Sequence, residues 1–303
     1  MAKILVVGSI NMDLVVRVPH SPKPGETVLG GDFETFPGGK GANQAVGAAR
    51  MGGEVTMVGR VGNDDFGNIL IQGLVEDKIK TTHVIKDSKA RTGVAMISVA
   101  ADGENMIVVA SGANANVSAE DVSNTRPLMR ETDLLLVQLE CPLETVTASI
   151  ELAKAYQIPV VLNPAPAQPL PKSLLQKVDY LIPNQTELLI LTGEANLNDS
   201  IEKIRNWGLK NLIITLGANG ARVISEGIDQ HLPAHEITAV DTTAAGDAFN
   251  GALAVALAEG KPILEAVSYG MAAGALASTK RGAQPSLPTR DAVENLIASQ
   301  RQS

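Results

Sequence analysis

A single cysteine, Cys141, means that no disulfide can close within the chain. That usage fits a reducing cytoplasm. The thiol precedes Pro142 at an expected strand end with no histidine nearby in sequence, so it reads as a small semi-buried filler. Aromatic residues make up only 3%. The core must then be built from Val, Ile, Leu, Ala and Met, and a base-stacking surface for single-stranded nucleic acid is argued against. Positive charge is in the minority: the net charge is −8 and the pI near 5.1. That balance disfavours a nucleic-acid backbone or an anionic membrane as partner. No stretch approaches the ~20 apolar residues that span a bilayer. The apolar run at Ile4–Val7 is too short for a signal peptide. His231 and His235 are four apart, but Pro233 between them blocks a helix, and no metal pair is expected there. His20 and His83 have no evident partners, and Trp207 reads as a packing residue at a helix end.

What is present is a regular alternation. The 303 residues are 45% hydrophobic with 28 glycines, ordinary for a soluble α/β protein. Apolar runs at Ile4–Val7, Val55–Val61, Leu134–Leu139, Pro159–Leu162, Tyr180–Ile182 and Leu212–Leu216 read as buried strands. Helical stretches lie between them at Gln44–Met51, Phe66–Val75, Leu143–Tyr156, Gln185–Leu191 and Ser200–Gly208, with later ones at Ile263–Thr279 and Thr289–Ile297. The pattern predicts an α/β fold with a doubly wound, mostly parallel sheet flanked by helices. Shorter strands at Leu14–Val18 and Val28–Phe36, and a hairpin from Thr92–Ala100 to Asn105–Ala110 around Asp102-Gly103, fit that sheet poorly. They are expected to pair with one another as a small separate flap. Residues 1–303 then form one domain, with flap strands inserted at about 12–38 and 91–110.

The densest chemistry lies at Asp241-Thr242-Thr243-Ala244-Ala245-Gly246-Asp247. It brings two carboxylates, two hydroxyls and a glycine to the expected start of a helix. Leu232–Val240 before it reads as edge strand or loop; Ala248–Leu257 after it is helical, with Gly260 and Pro262 as stop signals. A helix N-terminus offers unpaired N–H groups and partial positive charge to an anion. Asp247 in that first turn could take a proton from an attacking hydroxyl while the nest holds a phosphoryl group. Taken alone, an Asp there is more simply a dipole partner.

Ligands in open α/β sheets gather at the carboxyl ends of strands. Asn11/Asp13, Gly38–Asn43, Glu140, Asn184–Glu187 and Thr215–Gly220 all fall at such positions. Gly38-Gly39-Lys40-Gly41-Ala42-Asn43 fails as a Walker A loop, because Gly41 follows the lysine. Its glycines still permit close backbone approach. With Asn11, Asp13 and Glu140 the loop supplies the donors and acceptors a polyhydroxy compound needs. Asn184 and Glu187 read either as a capping box or as a phosphate contact with a water-mediated Mg²⁺ contact. Thr215-Leu216-Gly217-Ala218-Asn219-Gly220 reads either as a turn between strands or as a cradle for triphosphate or adenine.

Together these motifs resemble the ribokinase branch of the PfkB-type carbohydrate kinases, over nearly the whole chain. Gly38–Ala45 is similar to the family's N-terminal signature, and Asp241–Gly251 to its C-terminal one. Asn11-Met12-Asp13, Gln138-Leu139-Glu140 and Arg281–Ser286 resemble that branch in particular. The resemblance implies an α/β core with a β-sheet lid that is also the contact of a homodimer. It implies transfer of the ATP γ-phosphoryl group to the 5-hydroxyl of ribose. Asp247 would be the general base and the Ala244-Ala245-Gly246 backbone the anion hole. Asn11, Met12, Asp13, Gly39, Lys40, Gly41, Ala42, Asn43 and Glu140 would hold the sugar. Asn184, Glu187, Thr215–Gly220, Gly246 and Met271 would serve MgATP. Asp241, Thr243, Ala277, Lys280, Gly282 and Ser286 would form a monovalent-cation site favouring K⁺. Near Met271 some relatives carry a polar residue by the adenine; methionine packs on a base but donates nothing to it. The alternatives are a sibling kinase acting on fructose, deoxyribose or a keto-deoxy sugar, and a sugar- and nucleotide-binding regulator without turnover.

Overall fold

A computed structural model describes residues 1–300. Its first half contains β1 (Lys3–Val7), β2 (Asn11–Val18), β3 (Phe33–Gly38), α1 (Lys40–Arg50), β4 (Glu54–Gly62), α2 (Asp65–Glu76) and β5 (Lys80–Asp87). Next come β6 (Gly93–Ala100), β7 (Asn105–Ala110), α3 (Ala119–Ser123), β8 (Leu134–Val137) and α4 (Leu143–Ala155). Then follow β9 (Val160–Leu162), α5 (Lys172–Leu175), β10 (Tyr180–Leu181), α6 (Gln185–Thr192) and α7 (Leu197–Asn206). The last elements among the described residues are β11 (Asn211–Thr215), β12 (Ala221–Ser225), β13 (Ile228–Leu232), α8 (Ala245–Ala258), α9 (Ile263–Ala277) and α10 (Arg290–Gln300).

Nine strands form the large sheet in the order β13-β12-β11-β10-β9-β8-β1-β4-β5. From β11 to β5 neighbours run parallel, whereas β12 and β13 are antiparallel additions at one edge. Successive strand residues feed opposite cores, as a period of two requires. Ile4 and Val6 face α1, α8 and α9, while Leu5 and Val7 face α4, α6 and α7. Being covered on both faces is what makes β1 and β8 continuous apolar runs.

Strands β3-β2-β6-β7 form the second sheet. The short early strands and the later hairpin thus meet as the sequence suggests, with β2 and β6 parallel. Gly103 turns the β6–β7 hairpin with φ +88°. β3 starts and ends later than the Val28–Phe36 reading.

Four elements were not legible, one of them the short α3. Lys80–Asp87 is β5, an edge strand carrying two lysines, a histidine and an aspartate; its outer edge meets solvent, so no apolar run marks it. Lys172–Leu175 is the short α5, and Ile228–Leu232 is β13 at the opposite edge. Leu232–Val240 is therefore loop beyond its first residue. His20 also has a partner, Glu26, 2.9 Å away.

Candidate active site

Strand ends and two helix starts converge on one region. β1 ends at Val7 and leads into Ser9; β8 leads into Gln138 and Glu140; β9 leads into Asn163. Helix α1 starts against the first of these ends. Gly39, its N-cap, has φ +87°, and a Cβ there would lie 2.7 Å from the Asn11 nitrogen. A Cβ on Gly41 would lie 2.6 Å from the backbone of Gly8 and Ser9. Only glycine lets α1 press this closely on the β1–β2 turn.

Helix α8 starts opposite. Its N-cap residue is Ala244, whose side chain offers no capping acceptor. The first ladder bond runs from the Ala248 N–H to the Ala244 carbonyl at 2.9 Å. The amides of Gly246 and Asp247 precede that bond, where a helix has no intrahelical acceptors to offer. Gly246 is exposed, whereas Asp247 is buried.

The Asp247 carboxylate joins the two helix starts. Its Oδ2 accepts from Asn43 Nδ2 at 2.9 Å and its Oδ1 from Gln44 Nε2 at 3.0 Å. Burial raises its pKa, against the opposing pull of Lys40 and the two amide donors. A carboxylate has about four lone-pair positions, so acceptor capacity remains. Lys40 experiences burial, which lowers its pKa, but Asp247, Glu140, Glu187 and Asp13 outweigh it and hold the ammonium charged.

Asp13, buried on β2, is pushed up to about 7 by burial and then by the Glu140 and Asp247 charges. Gly38 makes room for it: a Cβ there would lie 2.3 Å from the Asp13 carboxylate. Asn11 Oδ1 accepts from Asn114 Nδ2 at 2.7 Å. Glu140 Oε2 accepts from Ser9 Oγ at 2.5 Å and from the Lys40 N–H at 3.2 Å. The resemblance puts Met12 and Ala42 at the sugar as well. Their side chains are 2% and 0% exposed and pack in the core, because the alternation on β2 and the inner face of α1 turn them inward.

A cavity of about 640 Å³ opens between the small sheet and the α8 approach, with Asp13, Phe36, Asp241 and Thr242 among its walls. A second, of about 420 Å³, shares Ala239 and Thr242 with the first as lining residues. It is walled by Thr215, Gly217, Ala218, Gly220, Gly246 and Met271, among others. Both volumes suit small-molecule ligands. Leu216 and Asn219 do not line this second cavity. Leu216 packs toward the α4–α7 core, and the Asn219 carbonyl accepts from His231 Nε2 at 2.7 Å.

Asn184 and Glu187 form a complete capping box on α6, with both bonds at 2.8 Å. Burial raises the Glu187 pKa against that backbone bond and Lys40. Asp241 bridges Thr243 and Gly282: Oδ1 accepts from the Thr243 N–H at 3.0 Å and Oδ2 from the Gly282 N–H at 2.9 Å. Although burial opposes it, these bonds and the Thr243 hydroxyl bond lower the Asp241 pKa. Lys280 donates its N–H to the Ala277 carbonyl at 3.2 Å, while Ser286 donates its hydroxyl to the Ala283 carbonyl at 2.8 Å.

The pfkB carbohydrate kinase profile matches residues 1–290. The chain belongs to the pfkB family of carbohydrate kinases. A ribokinase of Haemophilus influenzae is 43% identical over 290 residues, covering 94% of this chain and 95% of its own. A ribokinase crystal structure from Thermotoga maritima matches with a TM-score of 0.89 at 42% identity, covering 98% of this chain and 100% of that one. Arabidopsis thaliana ribokinase complexed with ribose and ATP matches with a TM-score of 0.88 at 32% identity, covering 98% and 99%. The fold is thus that of the ribokinases within this family.

Beyond the expected contact residues, the structure adds Ser9, Asn114 and Asn163 to the neighbourhood, together with Gln44 and Gln138, which stand inside two of the motifs. Gln138 and Asn163 follow a buried strand directly and Ser9 stands two residues past one, so the strand-end rule could have found them. Asn114 lies in a short 3-10 helix, Gly112–Asn116, and leaves no such signal.

Proposed function

We propose that this chain transfers the γ-phosphoryl group of ATP to the 5-hydroxyl of D-ribose. The observation that carries the reading is the Asp247 carboxylate, tethered by Asn43 and Gln44 beside the uncapped first turn of α8. Asp247 takes the proton of the 5-hydroxyl as its oxygen attacks the γ-phosphorus, and ADP leaves. Burial moves this carboxylate toward the pH at which a base works best. The Ala244–Gly246 backbone receives the charge of the migrating phosphoryl group. Dipoles that are already oriented need no rearrangement as that charge develops.

Asn11, Asp13, Gly39, Lys40, Asn43 and Glu140 hold sugar hydroxyls. Asn43 Oδ1 is buried without a partner, which leaves an acceptor for a hydroxyl donor. Met12, Gly41 and Ala42 support these groups from below. Thr215, Gly217, Ala218 and Gly220 cradle the nucleotide, and Met271 packs on its base.

No group of three or more His, Cys, Asp or Glu residues among the described residues is arranged to hold a metal ion. A Mg²⁺ ion held chiefly by phosphates and waters fits this chain, with Glu187 reached through water. Such an ion would neutralise phosphate charge during transfer. The oxygen-only set of Asp241, Thr243, Ser286 and the carbonyls of Ala277, Lys280 and Gly282 suits K⁺, which would add fixed positive charge beside the anion hole.

The small sheet serves as lid and as the contact of a homodimer. All six residues of β7, one of its two edge strands, are exposed, and Met106, Ile107, Val108 and Val109 are 47–61% exposed. An unpaired apolar edge of this kind is one that proteins normally cover. The single buried thiol fits a cytoplasmic setting.

The test is ADP release in Mg²⁺ and K⁺ with ribose, deoxyribose, fructose and a keto-deoxy sugar side by side. Ribose should give the highest kcat/KM. A clear preference for another sugar would transfer the assignment to that substrate, and binding with no ADP release from any of them would make the chain a regulator.

A further inference from the structure

We propose that Gln44 is a positioning residue for Asp247, locked by Asn163 in the one orientation that presents N–H to the carboxylate. The proposal rests on the sugar-kinase reading only for its link to turnover.

The amide chain has a defined polarity. The Ile182 carbonyl can only accept, so Asn163 must turn Nδ2 toward it, at 2.9 Å. Asn163 Oδ1 then faces Gln44, which must answer with Nε2, at 3.1 Å. The same Nε2 donates to Asp247 Oδ1 at 3.0 Å. At the other end, Gln44 Oε1 accepts from Gln138 Nε2 at 2.6 Å. Gln44, Gln138 and Asn163 are 0%, 1% and 8% exposed, so water cannot readily substitute.

Turning the Gln44 amide over would set oxygen against Asn163 Oδ1 and Asp247 Oδ1; Gln138, whose Oε1 has no partner, follows the Gln44 amide and does not fix it. Asn163, anchored on a main-chain carbonyl, blocks that rotation. Asp247 therefore always meets a donor. Both its oxygens accept from an amide, so a proton on either weakens an existing bond. The network favours the ionised base against the burial that disfavours it. Other charges acting on Asp247 are Lys40 of α1, Glu140 after β8, Asp13 of β2 and Glu187 of α6. None of them is altered by changing Gln44 or Asn163.

The test reads the protonation of Asp247 directly. The protein is labelled with ¹³C at the Asp side-chain carboxyl carbon and titrated by NMR, and the Asp247 signal is assigned by its loss in Asp247→Asn. In Gln44→Met the midpoint should rise by about one pH unit, the scale of one lost bond to a charged group. Asn163→Leu should raise it by less. The acid limb of the kcat/KM profile should move up with it, while the plateau at high pH falls less than tenfold. Asn163→Leu leaves both donors to Asp247 in place and carries the test if Gln44→Met does not fold. A midpoint in the folded variant equal to or below that of the wild type would overturn the proposal. A wild type that phosphorylates no sugar would overturn the proposed function but leave the titration result standing.

Discussion

Asn43 Nδ2 donates to Asp247 Oδ2 at 2.9 Å, although the two residues stand 204 apart in sequence. The bond ties the first turn of α1 to the first turn of α8, and so the sugar-side loop to the phosphoryl-side turn. Each motif alone has an ordinary structural explanation. Their meeting on one buried carboxylate does not.

Asp247→Asn should lower kcat by on the order of 10³-fold, the range of a lost general base. The thermal midpoint should hold or rise, because a neutral amide is easier to bury than a charge. Coupled-enzyme detection of ADP gives the rate. Turnover close to wild type would remove Asp247 from the mechanism. Asn43→Ala should lower kcat/KM by roughly 100-fold, the scale of a lost bond to a charged group.

Asp13 makes the unliganded protein less stable as pH rises. Its carboxyl is raised to about 7 in the fold. Between the ordinary carboxyl value of about 4 and pH 7 the unfolded chain has released this proton and the folded chain keeps it. Stability contributed at low pH is thus lost across that window, by up to roughly 4 kcal/mol, and is level above it. Asp247, also raised, adds to the same slope. Urea unfolding at pH 5, 6, 7 and 8 should show the decline, and Asp13→Asn should make it shallower.

Gly251 sits where α8 crosses α1. A Cβ there would lie 2.8 Å from the Ala48 nitrogen and the Gln44 carbonyl oxygen, which are main-chain atoms that cannot swing away. Gly251→Ala should destabilise by roughly 1–3 kcal/mol. Gly73 in α2 has no atom within 4 Å of the same position, so Gly73→Ala should stabilise by roughly 0.5–1 kcal/mol. Denaturant midpoints measured on the pair test the contrast.

Arg60 holds the base of the small sheet's connections. It makes a two-pronged contact with Asp121 at 2.7 and 2.9 Å and reaches Asp87 at 3.3 Å. Both acids are buried, so Arg60→Met strands their charges. A loss on the order of 3 kcal/mol is expected from chemical unfolding. Burial opposes ionisation of Asp121, but the Arg60 bond and its other partners lower its pKa. Its share of the stability is therefore lost on acidification and persists at neutral pH.

Asp241→Asn should reduce the preference for K⁺ over Na⁺ as activator. Initial rates in each chloride salt at matched ionic strength measure it. Removing Mg²⁺ with a chelator should abolish ADP release in wild type and variant alike, and re-addition should restore it. An undiminished K⁺ preference in the variant would move the cation away from this loop.

Much of the fold is readable locally because β1, β8, β9 and β11 are covered on both faces and must be apolar throughout. β5 and β13 escape for the converse reason: half of each edge strand meets solvent, and Lys80–Asp87 and Ile228–Leu232 carry polar residues accordingly. The motif residues are legible because a glycine at 39 or 41, or an acid in a first helical turn, has few explanations. Their roles are less so. Asn184 and Glu187 satisfy a capping box whether or not a nucleotide binds.

By itself the sequence determined the βα order, the second small sheet and the chemical kinds gathered at strand ends, since these depend on periodicity and on local backbone demands. Tertiary structure alone decided that Met12 and Ala42 turn into the core, that Asn163 governs the face Gln44 shows to Asp247, and that Asp13 holds its proton near neutrality. These depend on burial and on contacts between segments more than a hundred residues apart. No local pattern encodes such contacts, because hydrogen-bond polarity and the cost of an unsolvated charge are set only when the partners meet.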